Sequence, residues 1–197
     1  VSKLSNDDKA TSVSGNRRIF AVMPLIFFVI VLSSLWFGVV RHGDETIGEE
    51  SADFHPVNEV DLPVLGDSQT RFSLPSGEFY MVNFWASWCR PCLQEHPYLI
   101  KLSEEANLNI YGINYMDSHD KAQDFLTSHG NPYKNIGVDD VGKVAIDWGL
   151  YGIPESFFVN DLGIIFYHHK GEITAEDYIK IQGILRDQIN NRQKHGS

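Results

Sequence analysis

The sequence predicts a small α/β domain whose helices cover both faces of a central sheet. Two observations predict it. Strand-like and helix-like runs alternate from Phe79 onward and close with a hairpin and a last helix, the order of a layered α/β domain. The composition, 43% hydrophobic and 12% aromatic over 197 residues, supplies the core of one domain of about 150 residues with chain to spare. A third observation locates the chemistry. The two cysteines of the chain, Cys89 and Cys92, fall at the junction between the first apolar strand-like run (79–85) and the helix-like run after it.

The chain opens with a polar stretch, residues 1–18, which reads as a tail. From Ile19 to Val40 not one residue is charged. At 1.5 Å per residue this run spans roughly 33 Å, the thickness of a hydrocarbon core of about 30 Å, and predicts one transmembrane anchor. A cleavable leader would have a shorter apolar region and a small-x-small cleavage site, which Phe37-Gly38-Val39-Val40 lacks. Arg17 and Arg18 precede the run and Asp44, Glu45, Glu49, Glu50 and Asp53 follow it. The positive-inside rule then places the N-terminus in the cytoplasm and the cysteines across the membrane. Residues 41–56 read as an acidic linker, 57–192 as the domain, and 193–197 as a polar tail. A formal charge of −10 speaks against a nucleic-acid partner.

Within the domain, Val60 to Leu65 and Arg71 to Leu74 are strand candidates around Gly66-Asp67-Ser68, an N-terminal β-hairpin extension. Phe79 to Trp85 is the first central strand. A helix follows from Cys89 to Ala106, with Pro91 in its first turn and Pro97 placed to kink it. Leu108 to Tyr115 is a strand, Ser118 to His129 a helix stopped by Gly130, Ile136 to Val138 a short strand and Gly142 to Trp148 a short helix. Ser156 to Val159 and Ile164 to His168 form a hairpin. Thr174, with Asp177 three residues on, starts a last helix through Asn190.

A Cys-x-x-Cys pair at a helix start can open and close a disulfide. The first sulfur faces unpaired N–H groups and the positive end of the helix dipole, which favour its thiolate. Cys89 is therefore the attacking sulfur and Cys92 the resolving one. Structural zinc needs four ligands and would have to recruit His96 and a distant histidine. A structural disulfide across two residues closes too short a loop to stabilise much. Two inert buried cysteines are the third alternative, but Trp-Cys-x-Pro-Cys after an apolar strand reads as a thioredoxin-like redox motif.

Two stretches carry a family resemblance: Asn83-Phe-Trp-Ala-Ser-Trp-Cys-Arg-Pro-Cys-Leu-Gln-Glu-His-Pro97 and Gly149-Leu-Tyr-Gly-Ile-Pro-Glu-Ser-Phe157. Over residues 55–190 and the anchor, the chain resembles the membrane-tethered thiol:disulfide interchange proteins of cytochrome c maturation, the DsbE/CcmG family. The resemblance implies a thioredoxin-like fold, a central mixed sheet flanked by helices. It implies that Pro154 is a cis-proline opposite the disulfide and that the backbone of Ile153 pairs with an extended substrate. It implies that Glu95 and Glu155 are acidic active-site residues, which disfavour the Cys89 thiolate or take a proton during resolution. Trp88 is expected to shield the disulfide, and Trp85 either to flank it or to be core. Asn83 stands where thioredoxin carries a buried aspartate, so the proton work falls to Glu95. Tyr151 belongs to the matching segment. His96 is expected at the surface or as a cap, and His168 and His169 on opposite faces of a strand, unable to share a metal.

The function implied is that of a reductase in the periplasm, anchored in a bacterial inner membrane by a single pass. It would keep apocytochrome c, or a thiol-bearing cytochrome c maturation protein, reduced. Electrons would come from a membrane thiol reductant of the DsbD/CcdA kind. No cofactor or metal is expected beyond the Cys89–Cys92 pair. The alternatives are a general periplasmic disulfide reductase, or a copper-delivery module, which ordinarily has a wider cysteine spacing.

Overall fold

The computed structural model describes residues 27–34 and 55–195. The expected tail 1–18, most of the expected anchor and linker, and residues 196–197 lie outside them. Within the predicted anchor, 27–34 form a helix, α1, with Phe27, Phe28, Val29, Ile30 and Leu32 exposed along it. Among the described residues no helix is long and apolar enough to cross a membrane.

The domain is built on an eight-stranded sheet: β1 (His55–Pro56), β2 (Leu62–Val64), β3 (Asp67–Phe72), β4 (Tyr80–Trp85), β5 (Asn109–Tyr115), β6 (Asn135–Asp139), β7 (Glu155–Val159) and β8 (Ile164–Lys170). Their spatial order is β1-β8-β7-β4-β5-β6-β2-β3. β4, β5 and β6 run parallel, β7 pairs antiparallel with β4 and β8 antiparallel with β7, so the sheet is mixed as expected. Four helices belong to it: α2 (Arg90–Glu104), α3 (His119–His129), α4 (Lys143–Asp147) and α5 (Ala175–His195).

β4 is buried along its whole length because both of its faces are covered. Met81 and Trp85 enter a core with Leu99 and Leu102 of α2, Phe125 of α3 and Ile181 and Leu185 of α5. Tyr80, Val82 and Phe84 enter a second core with Val144, Ala145 and Trp148 around α4. Strand period 2 does this sorting, and it places Asn83 on the α2 side.

Several boundaries differ from the sequence reading. β1 falls inside the expected linker, where His55 and Pro56 pair with Ile165 and Ile164, so ladder pairing extends the domain to residue 55. The hairpin turns one residue early, at Leu65-Gly66, because Gly66 takes the positive φ (+83°) that the turn requires. The hairpin also joins the main sheet through Val64 and Gly137. α2 runs through Pro97, as expected, but spans Arg90–Glu104, with Cys89 as its N-cap and two residues short of Ala106. α5 runs to His195, through part of the expected tail. Its start is as predicted: the Asp177 carboxylate accepts from Thr174 N–H at 2.9 Å, and Thr174 Oγ1 accepts from Asp177 N–H at 3.3 Å.

Candidate redox site

Cys89 and Cys92 form a disulfide, with Cα atoms 5.3 Å apart. Cys89 is the N-cap of α2 in extended backbone, and its Sγ accepts the Cys92 N–H at 3.2 Å. A first-turn amide thus points at the Cys89 sulfur. No acidic residue occupies the first turn of α2 to offset the positive helix end. Pro91 fits there without cost, since a first-turn residue has no intrahelical N–H bond to lose.

The loop before β7 closes on the same sulfur. The Ile153–Pro154 peptide is cis, and the Ile153 carbonyl oxygen lies 3.7 Å from Cys89 Sγ. Trp88 is 58% exposed, and its Nε1 donates to the Met116 carbonyl at 3.1 Å. Tyr151 is 84% exposed under Lys170 Nζ, which lies 4.3 Å above its ring; it is not packed into the core. Trp85 is core, stacked on Tyr133.

Glu95 and Glu155 lie on opposite faces of the sheet. Glu95 projects from α2 to the Asn83 side and is 0% exposed. Its Oε1 accepts from Asn83 Nδ2 at 2.9 Å and its Oε2 from the Ile173 N–H at 3.1 Å. Those two donors favour the carboxylate, but burial dominates and pushes the carboxyl up to about 8. At neutral pH Glu95 is therefore mostly a neutral acid, a holder of a proton more than a fixed charge. Asn83 also donates to Ser156 Oγ at 3.1 Å and accepts from Tyr133 O–H at 2.8 Å. Tyr133 reaches it across Gly112, where a Cβ would stand 3.0 Å from the tyrosine ring.

Glu155 faces the α4 side with Phe157 and Val159, opposite Phe84 in the register. Its Oε1 accepts the N–H groups of Tyr151 and Gly152 at 2.9 and 3.0 Å. Its Oε2 meets His168 Nε2 at 2.6 Å. The adjacent His169 instead contacts the Glu172 carbonyl at 3.3 Å, as opposite strand faces require. His96 is buried, not at the surface: it packs on Phe125, and its Nε2 bonds the Gly130 carbonyl at the end of α3. Burial holds its pKa below the usual histidine value.

Asp117 is a site residue that the sequence did not reveal. Its carboxylate accepts Ser87 N–H at 2.6 Å, Ser87 O–H at 2.8 Å, Asn114 Nδ2 at 3.0 Å and Ser118 N–H at 2.8 Å. It ties the turn before Cys89 to the loop after β5. An acid between a strand and a helix cap was the available signal, but nothing local links it to Ser87, thirty residues back in the chain.

A buried cysteine pair closed as a disulfide at a helix N-terminus, beside an exposed tryptophan and a cis-proline loop, defines a thiol:disulfide oxidoreductase. Comparison with known proteins agrees. The Redoxin family model matches residues 53–181. The chain is 40% identical over 174 residues to the thiol:disulfide interchange protein CycY of Rhizobium leguminosarum bv. viciae, covering 80% of this chain and 88% of that one. It is 34% identical over 163 residues to DsbE of Escherichia coli K12, with coverage of 80% and 88%. The fold matches a secreted thiol-disulfide isomerase from Corynebacterium glutamicum with a TM-score of 0.61 at 24% identity, over 73% of this chain and 95% of that one. The chain belongs to the Redoxin family, and within it to the thiol:disulfide interchange proteins of the DsbE/CcmG type.

Proposed function

We propose that this protein is a membrane-anchored periplasmic reductant of cytochrome c maturation, acting on the paired cysteines of apocytochrome c or of a thiol-bearing maturation partner. The reading is supported by the Cys89 sulfur capping α2 beside the Ile153 carbonyl, and by the names of the relatives. The uncharged run 19–40 and the charges flanking it support the anchor and its orientation.

The cycle begins from the dithiol. The Cys89 thiolate attacks one sulfur of the partner disulfide, forming a mixed disulfide and expelling the other partner sulfur as a thiolate. Cys92 loses its proton and attacks Cys89 Sγ. The Cys89–Cys92 bond forms, the mixed disulfide breaks, and the second partner sulfur leaves. Two electrons and two protons pass to the partner. Glu95, one helical turn from Cys92 with a carboxyl poised near 8, is suited to exchange the proton of the resolving step. A membrane dithiol of the DsbD/CcdA kind restores the pair.

The test is an equilibrium redox titration of the full chain in glutathione buffers, with trapping by a C92S variant. A potential at or below roughly −200 mV supports a reductant, whereas one near roughly −120 mV makes the protein an oxidant and sinks the reading. The C92S protein should hold a peptide carrying an oxidised Cys-x-x-Cys-His loop, the haem-attachment chemistry, in preference to unrelated disulfide peptides. Equal capture of all of them would point to a general reductase.

A further inference from the structure

The loop that faces Cys89 has little of its own to hold it. Tyr151 and Gly152 are exposed, and a Cβ built on Gly149 or Gly152 would meet nothing within 4 Å. A carboxylate ties its first half: Glu155 Oε1 receives the consecutive N–H groups of Tyr151 and Gly152. Two more residues on, Pro154 is tied to β8 through the Gly171 N–H, 3.0 Å from its carbonyl oxygen.

A glutamate can do this only if its own carboxylate is prevented from rotating. Its second oxygen is held by His168 at 2.6 Å, and both side chains are almost fully shielded, at 3% and 8% exposure. The imidazole is itself immobilised: it stacks on Phe157, with ring centroids 4.0 Å apart and planes 18° apart, and Phe157 is its cross-strand partner. Phe84 and Trp148 pack against the other sides of Phe157. In these apolar surroundings a carboxylate without its histidine would be a buried, half-paired charge.

We propose that His168 is a positioning residue for partner binding: by holding Glu155 from β8 it fixes the 151–154 loop and presents the Ile153 backbone beside Cys89. The proposal rests on the thiol:disulfide reading of the site and adds a residue outside the cysteine motif and the proline loop. His168 touches neither sulfur nor partner. Its effect falls on substrates that must lay an extended backbone along Ile153, and largely spares a small disulfide that needs only the Cys89 sulfur.

The experiment compares the reduced full-length protein with its H168L and H168Q variants. The two substrates are a peptide with an oxidised Cys-x-x-Cys-His loop and the small disulfide dithiobis-nitrobenzoate. Leucine keeps bulk and removes the donor, while glutamine keeps a donor near the position of Nε2. H168L should raise KM for the peptide about tenfold while the rate with the small disulfide changes less than about twofold, and H168Q should recover most of the KM. Equal losses on both substrates, an unchanged peptide KM, or a glutamine variant no better than leucine would each overturn the proposal. Should H168L not fold, H168Q against the unaltered protein still decides: a kept donor must leave the peptide KM within about threefold. An unaltered protein that reduced neither disulfide would overturn the reading of the site itself.

Discussion

The side-chain amide of Asn83 donates to Oε1 of Glu95 at 2.9 Å, linking the central strand to the buried face of α2 one turn beyond Cys92. The amide holds the carboxyl in place but can neither take nor give up a proton in exchange. The second oxygen of the same carboxyl accepts the Ile173 N–H at 3.1 Å, so Glu95 is held between the strand and the start of the last helix.

Stability should consequently depend on pH through Glu95. Burial raises its carboxyl from 4.5 to about 8, so between those values the folded protein holds one more proton than the unfolded chain. The contribution of the neutral buried acid is complete below about pH 4.5 and is lost as pH rises through about 8. Urea denaturation of the oxidised protein from pH 5 to 9 should show stability falling with a slope of up to about 1.4 kcal/mol per pH unit. The E95Q variant cannot ionise and should flatten the profile; a variant as steep as the parent would refute the assignment.

Tyr133→Phe isolates the orientation of Asn83. The tyrosine O–H fixes the amide oxygen toward β5, so that Nδ2 faces Glu95 and Ser156. Removing the hydroxyl leaves a buried carbonyl oxygen without its donor, at a cost of about 1–2 kcal/mol in chemical denaturation. A loss below about 0.5 kcal/mol would mean that the amide finds another partner or turns over at no cost.

Asp117→Ala tests the tie behind the cysteine turn. Four donors converge on that carboxylate, two of them from Ser87, and the alanine variant leaves them to water or to nothing. The expected cost is about 2–3 kcal/mol, together with faster amide hydrogen exchange at Ser87. Unchanged exchange at Ser87 would show that the turn is held by other contacts.

Much of this architecture could be read from short windows of the chain. The 79–85 run is apolar throughout because β4 is covered on both faces, and Cys89 with Pro91 marks a helix start through local backbone rules alone. Thr174 and Asp177 announced α5 for the same reason. Of the two expectations for His96, the surface one failed, because the packing of α3 against α2 buries it on Phe125, and the capping one held, since its Nε2 bonds the carbonyl of Gly130, the C-cap of α3. Tyr151 had only its place in the matching segment to go by, and the structure leaves its ring in solvent beneath Lys170.

The amino-acid order was sufficient to mark a redox-type cysteine pair, since Cys-x-Pro-Cys after an apolar strand places both sulfurs at a helix start by local backbone rules. It was not sufficient for the two glutamates. Glu95 and Glu155 looked like equivalent acids beside one disulfide, yet one is a buried proton holder on the α2 face and the other anchors a loop on the α4 face. Register sets half of that difference: pairing Asn83 with Ser156 and Phe84 with Glu155 sends Glu155 to the α4 face and Asn83 to the other, where Glu95 reaches it from α2. A strand alone alternates its side chains, and only its neighbours decide which side of the sheet is which.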